Sequence, residues 1–348
     1  MNSIQPAQKV CILRLSAIGD VCNALAVVQQ LQQAWPQAQI TWVCGKAEAQ
    51  MLALFDNINI IIYDKKQGIK GLIQLRKQLR DTQFDVLLHM QAALRASLVS
   101  CCINAKRRIG FDRSRAKDGQ WIFTNEKIAK APSPHVLDGF LQFLNQLDIQ
   151  AQSPRWHVPL SATLHNKAKH LLGEGRHLLI CPAASKPYKN WTIEGYAAFA
   201  QFAQAKGYKV SLIGSPAPQE MTLAEQVNLA SQGQLNNLCG QTSLLELWAL
   251  VAEATLLVSP DTGPAHMAVA VNTPVLGLYA HHNPQRTGPY HYRNYVVSVW
   301  QQCIEQEQGK SVAQLNWRSR VKDPNAMQQI TLESVIHMFE ILEKEQLS

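Results

Sequence analysis

The residues of this chain best suited to chemistry stand just after apolar, strand-like runs. The first run, Lys9 to Leu15, is followed by Ser16-Ala17-Ile18-Gly19-Asp20, where Gly19 permits a tight turn and Asp20 falls at a helix start. A carboxylate there has two uses. It can cap the helix, accepting free backbone N–H bonds in the helix field, or act as a general base on a bound hydroxyl. A full G-x-G-x-x-G is absent, which argues against a nicotinamide or flavin cofactor held by this turn. Further along, Pro182 to Trp191 (PAASKPYKNW) carries Ser185, Lys186 and Lys189 ahead of a helix beginning near Thr192. Ammonium groups and free helix N–H groups favour a phosphate, although a loop with merely solvated lysines fits the same string. Glu220, a few residues after Gly214-Ser215-Pro216, stands where an acidic residue can accept both hydrogen bonds of a ribose diol. The most specific string is Ser259 to His266 (SPDTGPAH), which follows a strand and opens a helix. Asp261 can accept a sugar hydroxyl there, Gly263 allows close backbone approach, and the early N–H groups can face a diphosphate.

The elements that must position these residues alternate. Strands at Lys9–Leu15, Ile40–Cys44, Ile58–Tyr63 and Phe84–His89 are separated by helices at Val21–Trp35, Ala47–Phe55 and Ile69–Arg80. After a proline-bearing linker at 151–165 the pattern restarts: strands His177–Cys181, Lys209–Ile213, Thr255–Val258 and Pro274–Tyr279. Thr192–Lys206 is a helix, and Ser243 with Glu246 forms a capping box opening another. Strands and helices at this spacing imply right-handed βαβ units and parallel sheets. The expected fold is α/β: two Rossmann-like, doubly wound domains facing a cleft, spanning 1–160 and 161–330. Residues 331–348 are expected to form a terminal helix packing back on the N-terminal domain, and 301–325 reads as irregular. Ligands bind beyond the carboxyl ends of parallel strands, which is where the residues above fall.

The 348 residues are 47% hydrophobic and 17% charged, too apolar for disorder and long enough for two domains. The net charge of +8 is uneven: residues 1–150 hold 18 basic and 11 acidic side chains, residues 151–348 hold 15 and 14. Such asymmetry suggests an anionic partner for the first half, the alternative being a solvated basic face with no partner. Lys65, Lys66, Arg113, Arg115 and Lys117 are candidates to bind it, with Gly19 beside them in the turn. Nucleic acid is disfavoured, because the basic stretches lack interleaved aromatics and no reader motif is present. Eight cysteines without a C-x-x-C pair fit reduced thiols, no leader is expected, and the sequence holds no uncharged apolar stretch of membrane-spanning length. The chain is expected to be cytoplasmic, with any membrane contact peripheral.

Taken together, SAIGD after the first strand, KNW, PDTGPAHMA and NPQRTGPY at 283–290 resemble the heptosyltransferases, glycosyltransferase family nine, in motif order and spacing. Arg108 to Ser114 resembles that family's acceptor-side segment. The resemblance implies a GT-B type fold, with the acceptor on the N-terminal domain and a nucleotide sugar on the C-terminal one. The implied reaction is inverting transfer of heptose from ADP-L-glycero-β-D-manno-heptose to the Kdo/heptose inner core of lipopolysaccharide, an anionic Kdo-lipid A type glycolipid. The resemblance also implies peripheral contact at the cytoplasmic face of the inner membrane. Carried over by motif, Asp20 resembles the general base and Lys189 the diphosphate lysine. Ser185, beside Lys186, matches a hydroxyl near the phosphates, Glu220 the ribose carboxylate, and Asp261, Thr262, Gly263 and His266 the sugar and phosphate loop. Ala184 departs from the threonine often found there, and His281-His282 from a glycine-proline, which bears on the donor sugar. No D-x-D occurs, so metal-independent stabilisation of the leaving group is expected, with no cofactor besides the ADP-sugar substrate. The rival readings are a transferase using another nucleotide sugar on a cell-surface glycolipid, a sugar-nucleotide epimerase of the same fold, and a nonenzymatic nucleotide- or carbohydrate-binding protein.

Overall fold

Short apolar runs become buried strands, and the amphipathic segments between them become helices. The computed structural model describes residues 7–316 and 318–347, and the chain divides between Pro159 and Leu160 into two compact units. In the first, β1 (Lys9–Leu13), α1 (Ile18–Ala34), β2 (Gln39–Cys44), α2 (Lys46–Leu52) and β3 (Ile58–Ile62) lead into α3 (Gly68–Leu79) and β4 (Gln83–His89). Then follow α4 (Leu94–Ser100), β5 (Asn104–Gly110), β6 (Glu126–Lys127) and α5 (Val136–Asn145). In the second, α6 (Ala162–Leu172), β7 (Arg176–Ile180), α7 (Ile193–Ala205), β8 (Tyr208–Leu212), α8 (Pro218–Ala230) and β9 (Asn236–Asn237) lead into α9 (Leu244–Glu253) and β10 (Leu256–Pro260). The chain closes with α10 (Gly263–Ala270), β11 (Val275–Tyr279), α11 (Pro284–Thr287), β12 (Val296–Ser298), α12 (Trp300–Gln308) and α13 (Leu332–Gln346).

Each unit contains one six-stranded sheet, ordered β3-β2-β1-β4-β5-β6 and β12-β11-β10-β7-β8-β9. All pairings are parallel. Read from its own first strand, the second sheet repeats the order of the first, so the α/β, doubly wound plan occurs twice. The strand order reverses between β1 and β4 and again between β7 and β10, and at such points the strand ends open into a crevice. Helices on both faces explain why β10 and β11 are buried throughout and read as continuous apolar runs. Trp42, Phe84, Phe140 and Phe143 fill the first core, and Trp248, Tyr196, Phe199 and Phe339 the second.

Three expectations change. The segment read as irregular begins with a helix, α12: Trp300, Cys303 and Ile304 are buried along one stripe, and Gly309 ends it at φ 61°. The capping signal at α1 also shifts. That helix starts at Ile18 with Ala17 as its cap residue, so Asp20 lies inside the first turn and is not the N-cap. The terminal helix, expected on the N-terminal domain, packs instead within the second unit. Its Phe339 stacks edgewise on Phe199, Phe202 and Tyr208, and Glu343 binds Arg176 at 2.8 Å. An aromatic pocket and an ion pair on the same helix fix that choice.

The turn after β1 leaves no space at its neighbour. Gly45 follows β2, and a Cβ there would lie 2.8 Å from the Leu15 carbonyl oxygen and 2.5 Å from Glu48 Oε2. The side chain can move but the carbonyl cannot. Gly45→Ala is therefore expected to cost about 1–3 kcal/mol, read as a lower urea midpoint; an unchanged midpoint would show that the turn yields freely.

Candidate active site

The candidate residues gather at the carboxyl edge of each sheet. In the first unit Arg14 leaves β1 and turns its guanidinium inward. Nη1 donates to the Met90 carbonyl at 2.7 Å, Nη2 pairs with Asp20 Oδ2, and the group lies 5.4 Å from the Phe140 ring centre. Burial disfavours the Arg14 cation and the Asp20 charge offsets it. Asp20 is one third exposed; its second oxygen has no partner among the described residues. The carboxylate is thus anchored at one oxygen and available at the other. Leu15 N donates to Gln91 Oε1 at 2.7 Å, which ties the turn after β1 to the end of β4 across the point where strand order reverses. Glu48, in the first turn of α2, is pushed up by burial against the opposing charges of Lys65 and Arg14.

The other first-unit candidates divide by burial. Lys65, Lys66, Arg113 and Lys117 are exposed on the turns after β3 and β5, and Gly19 is buried in the first turn of α1. Arg115 is buried: Nη2 donates to the Ser133 carbonyl at 2.7 Å, and Nη1 faces Asp112 at 3.4 Å. Its place is that of a strut holding the loop before α5, in contrast to the surface ligand the sequence suggests. Arg107 and Arg108 are likewise absorbed, the first on Glu126 and the second on the Ser100, Ile103 and Phe123 carbonyls. His89, which the sequence reading passes over, ends β4 fully buried. Burial first, with the nearby Arg108 and Arg14 charges, drives it down to about 3, so it is neutral near pH 7 and is held by Gln120.

In the second unit the turns after β7, β8 and β10 are neighbours because their strands are. Lys189 sits on a single 3-10 turn, Pro187–Lys189, ahead of α7, whose N-cap is Thr192. Its ammonium is buried and donates to Asp261 Oδ2 at 2.8 Å. His282, just past β11, places Nδ1 2.6 Å from the same oxygen and 3.2 Å from Lys189 Nζ. Burial opposes ionisation of Asp261, but the His282 hydrogen bond and the Lys189 and His282 charges outweigh it and hold the carboxyl well below the usual carboxylate range. Thr262 caps α10 in extended conformation without spending its side chain on a cap bond; its hydroxyl meets Ser259 Oγ at 2.5 Å. The first-turn N–H groups at Gly263 are therefore not occupied by that side chain, and His266 is buried one turn on. Glu220, in the first turn of α8, accepts from Ser215 N at 2.8 Å. Ser185 and Lys186 are exposed on the loop. Lys189, Asp261 and His282 are thus brought into contact, and Glu220 stands on the adjoining turn.

Arg14 and His282 are functional candidates that residue-by-residue reading missed. The available signal was position: Arg14 follows the end of β1 directly, as Asp261 follows β10, and His282 lies three residues past β11.

A family model, glycosyltransferase family 9 (heptosyltransferase), matches residues 72–316. The lipopolysaccharide core heptosyltransferase OpsX of Haemophilus influenzae is 44% identical over 330 residues, 94% of this chain and 95% of its own length. A family 9 glycosyl transferase from Veillonella parvula superposes with a TM-score of 0.78 at 21% identity, covering 97% of this chain and 98% of that one. The E. coli heptosyltransferase WaaC, solved with ADP, gives 0.72 at 20% identity, covering 97% and 98%. The fold is of the GT-B type, and the chain belongs to glycosyltransferase family 9, the heptosyltransferases.

Asp261 is linked to stability. With its folded value below the unfolded one of about 4, its charge contributes stability that is complete above about pH 4 and lost as pH falls further. Asp261→Asn removes that contribution and leaves Lys189 buried without its carboxylate. Urea denaturation is expected to show a loss of about 3 kcal/mol near neutral pH and a shallower decline in acid; equal acid limbs would mean Asp261 is not the linked group.

Proposed function

We propose that this enzyme transfers heptose from ADP-L-glycero-β-D-manno-heptose to the Kdo/heptose inner core of lipopolysaccharide, inverting the anomeric carbon. The observation that carries this reading is the buried Lys189 ammonium beside the open first turn of α10, at the strand-order reversal of the second sheet. Together these groups suit a diphosphate: a cation placed by Asp261 and His282, and backbone donors aimed past a strand end. Glu220, with one oxygen on Ser215 N, suits the ribose hydroxyls. A lipopolysaccharide core relative 44% identical over nearly its whole length supports the acceptor class, and a WaaC structure solved with ADP-2-deoxy-2-fluoro heptose supports the donor.

In the proposed reaction the acceptor oxygen bonds to the anomeric carbon as the bond from that carbon to the β-phosphate oxygen breaks. Asp20 takes the hydroxyl proton on its unpartnered oxygen, while Arg14 keeps the other fixed. ADP departs with the bonding pair. Lys189 and the α10 N–H groups stabilise the charge that develops on the diphosphate, with no metal assigned to the step. Thr262, Gly263 and His266 frame the sugar side of that turn.

Asp20→Ala is expected to abolish transfer while ADP-heptose affinity stays within about tenfold, or 1.4 kcal/mol. Undiminished transfer by that variant would remove Asp20 as the base. Product mass after incubation with ADP-heptose and Kdo-lipid A tests the substrates: one heptosyl residue should be gained. Gain of a hexose from a competing nucleotide sugar, with ADP-heptose untouched, would overturn the donor assignment.

A further inference from the structure

The exposed apolar side chains of this protein are unevenly distributed. Among the described residues nine large hydrophobic side chains are exposed, and seven of them fall between Ile62 and Ile122. On α3 they are Ile69 and Ile73, on α4 Leu94 and Leu98, and on the short turn at Gln120–Ile122 they are Trp121 and Ile122. These six are 46–76% exposed. Each helical pair is spaced four apart, which puts both members on one helix face. Neither helix is short of a buried side: Leu75 and Leu79 of α3 and Ala96 and Val99 of α4 enter the same core cluster as Leu13, Val43 and Phe84. Each of these helices is apolar on the outside as well.

The three elements adjoin. The Cys102 thiol, just past α4, donates to the Leu72 carbonyl of α3 at 3.5 Å. Leu94 N, opening α4, donates to Asp118 Oδ2 at 3.3 Å. Arg108 then joins the Ser100 carbonyl at 2.8 Å to the Phe123 carbonyl at 2.9 Å. The same stretch carries the charge. Residues 62–122 contain thirteen basic and five acidic side chains, a surplus equal to the +8 of the whole chain. Arg107, Arg108 and Arg115 are consumed by internal bonds. Lys66, Lys70, Arg95, Arg113 and Lys117 remain exposed around the apolar side chains.

Apolar side chains raised among cations complement a surface that is negative outside and hydrocarbon within. We propose that α3, α4 and the Gln120–Ile122 turn form the face by which this protein docks on an anionic lipid bilayer. Trp121 and the Ile and Leu pairs enter the interface, and the lysines and arginines lie over lipid phosphates. Lys66, Arg95 and Arg113 follow the carboxyl ends of β3, β4 and β5, the sheet edge that carries Asp20. The face therefore presents that edge toward membrane-embedded headgroups. This purpose rests on the glycolipid acceptor proposed above, but the docking does not require the sugar donor.

The test is flotation with vesicles of phosphatidylcholine alone and of phosphatidylcholine with phosphatidylglycerol in roughly equal parts, without nucleotide sugar. The expected result is binding at least tenfold tighter to the mixed vesicles, weakened as NaCl rises from about 0.1 M to about 1 M. Two surface variants, Ile69→Ser with Ile73→Ser and Trp121→Ser with Ile122→Ser, should each lose binding about tenfold while keeping their melting temperature. Each should also keep transfer to detergent-dispersed acceptor, so failure of docking is read separately from failure of the reaction. Absence of binding to mixed vesicles, or binding unchanged in both variants, overturns the proposal. So does a lipid-free dimer, seen by sedimentation, that both variants dissociate, since the face would then serve a second copy.

Discussion

A cation buried beside the end of a parallel strand must be paired, because low-dielectric surroundings penalise an isolated charge by several kcal/mol. Both units of this protein meet that constraint with a carboxylate from a turn after a strand. Arg14 and Asp20 are six residues apart and close one turn on itself. Lys189 and Asp261 are 72 residues apart and join the turns after β7 and β10. In the reaction proposed above the first pair orients the base, while the second holds an ammonium beside an open helix start. The same sheet order in both units places each pair where strand order reverses, so one topological rule generates two sites of different chemistry.

The pairing also sorts the positive charge. In the first unit Arg107, Arg108 and Arg115 satisfy a carboxylate or buried carbonyls and hold β5, β6 and the loop before α5 together. They do so at the expense of a role at the surface, which falls to lysines and arginines on the turns and on α3 and α4. The second unit, near neutral in its sequence, concentrates its functional charge in Lys189. On the proposed reading a polyanion and a diphosphate are met differently: the first by a field spread over a surface, the second by one placed ammonium and backbone donors.

Much of this was legible in the sequence, for reasons that can be named. Strands alternating with helices announced parallel sheets, Thr255–Val258 falling on β10, and Ser243 with Glu246 announced the start of α9, where both bonds of the capping box form. Helices α4 and α5 were passed over because their cap residues are Ala93 and His135, outside the Ser, Thr, Asp and Asn signal. In α12 the apolar stripe is one turn long amid Gln and Glu, too sparse to register as a period. At the site, Asp20 and Asp261 stood out because they belong to short, distinctive strings. Their partners Arg14 and His282 did not, since an arginine after a strand and a histidine pair have many uses until tertiary contact selects one. Arg115 failed in the opposite sense: charge suggested a surface, and burial against Ser133 and Asp112 decided otherwise.

The central claim is that the Lys189 ammonium, set in place by Asp261 and His282, binds the diphosphate of the donor. Calorimetric titration of ADP and of AMP into the wild-type protein and Lys189→Ala tests it most directly. The account predicts that the substitution weakens ADP at least tenfold and AMP, with one phosphate fewer, by distinctly less. Equal ADP affinity in the two proteins, or an equal loss for both nucleotides, would contradict it.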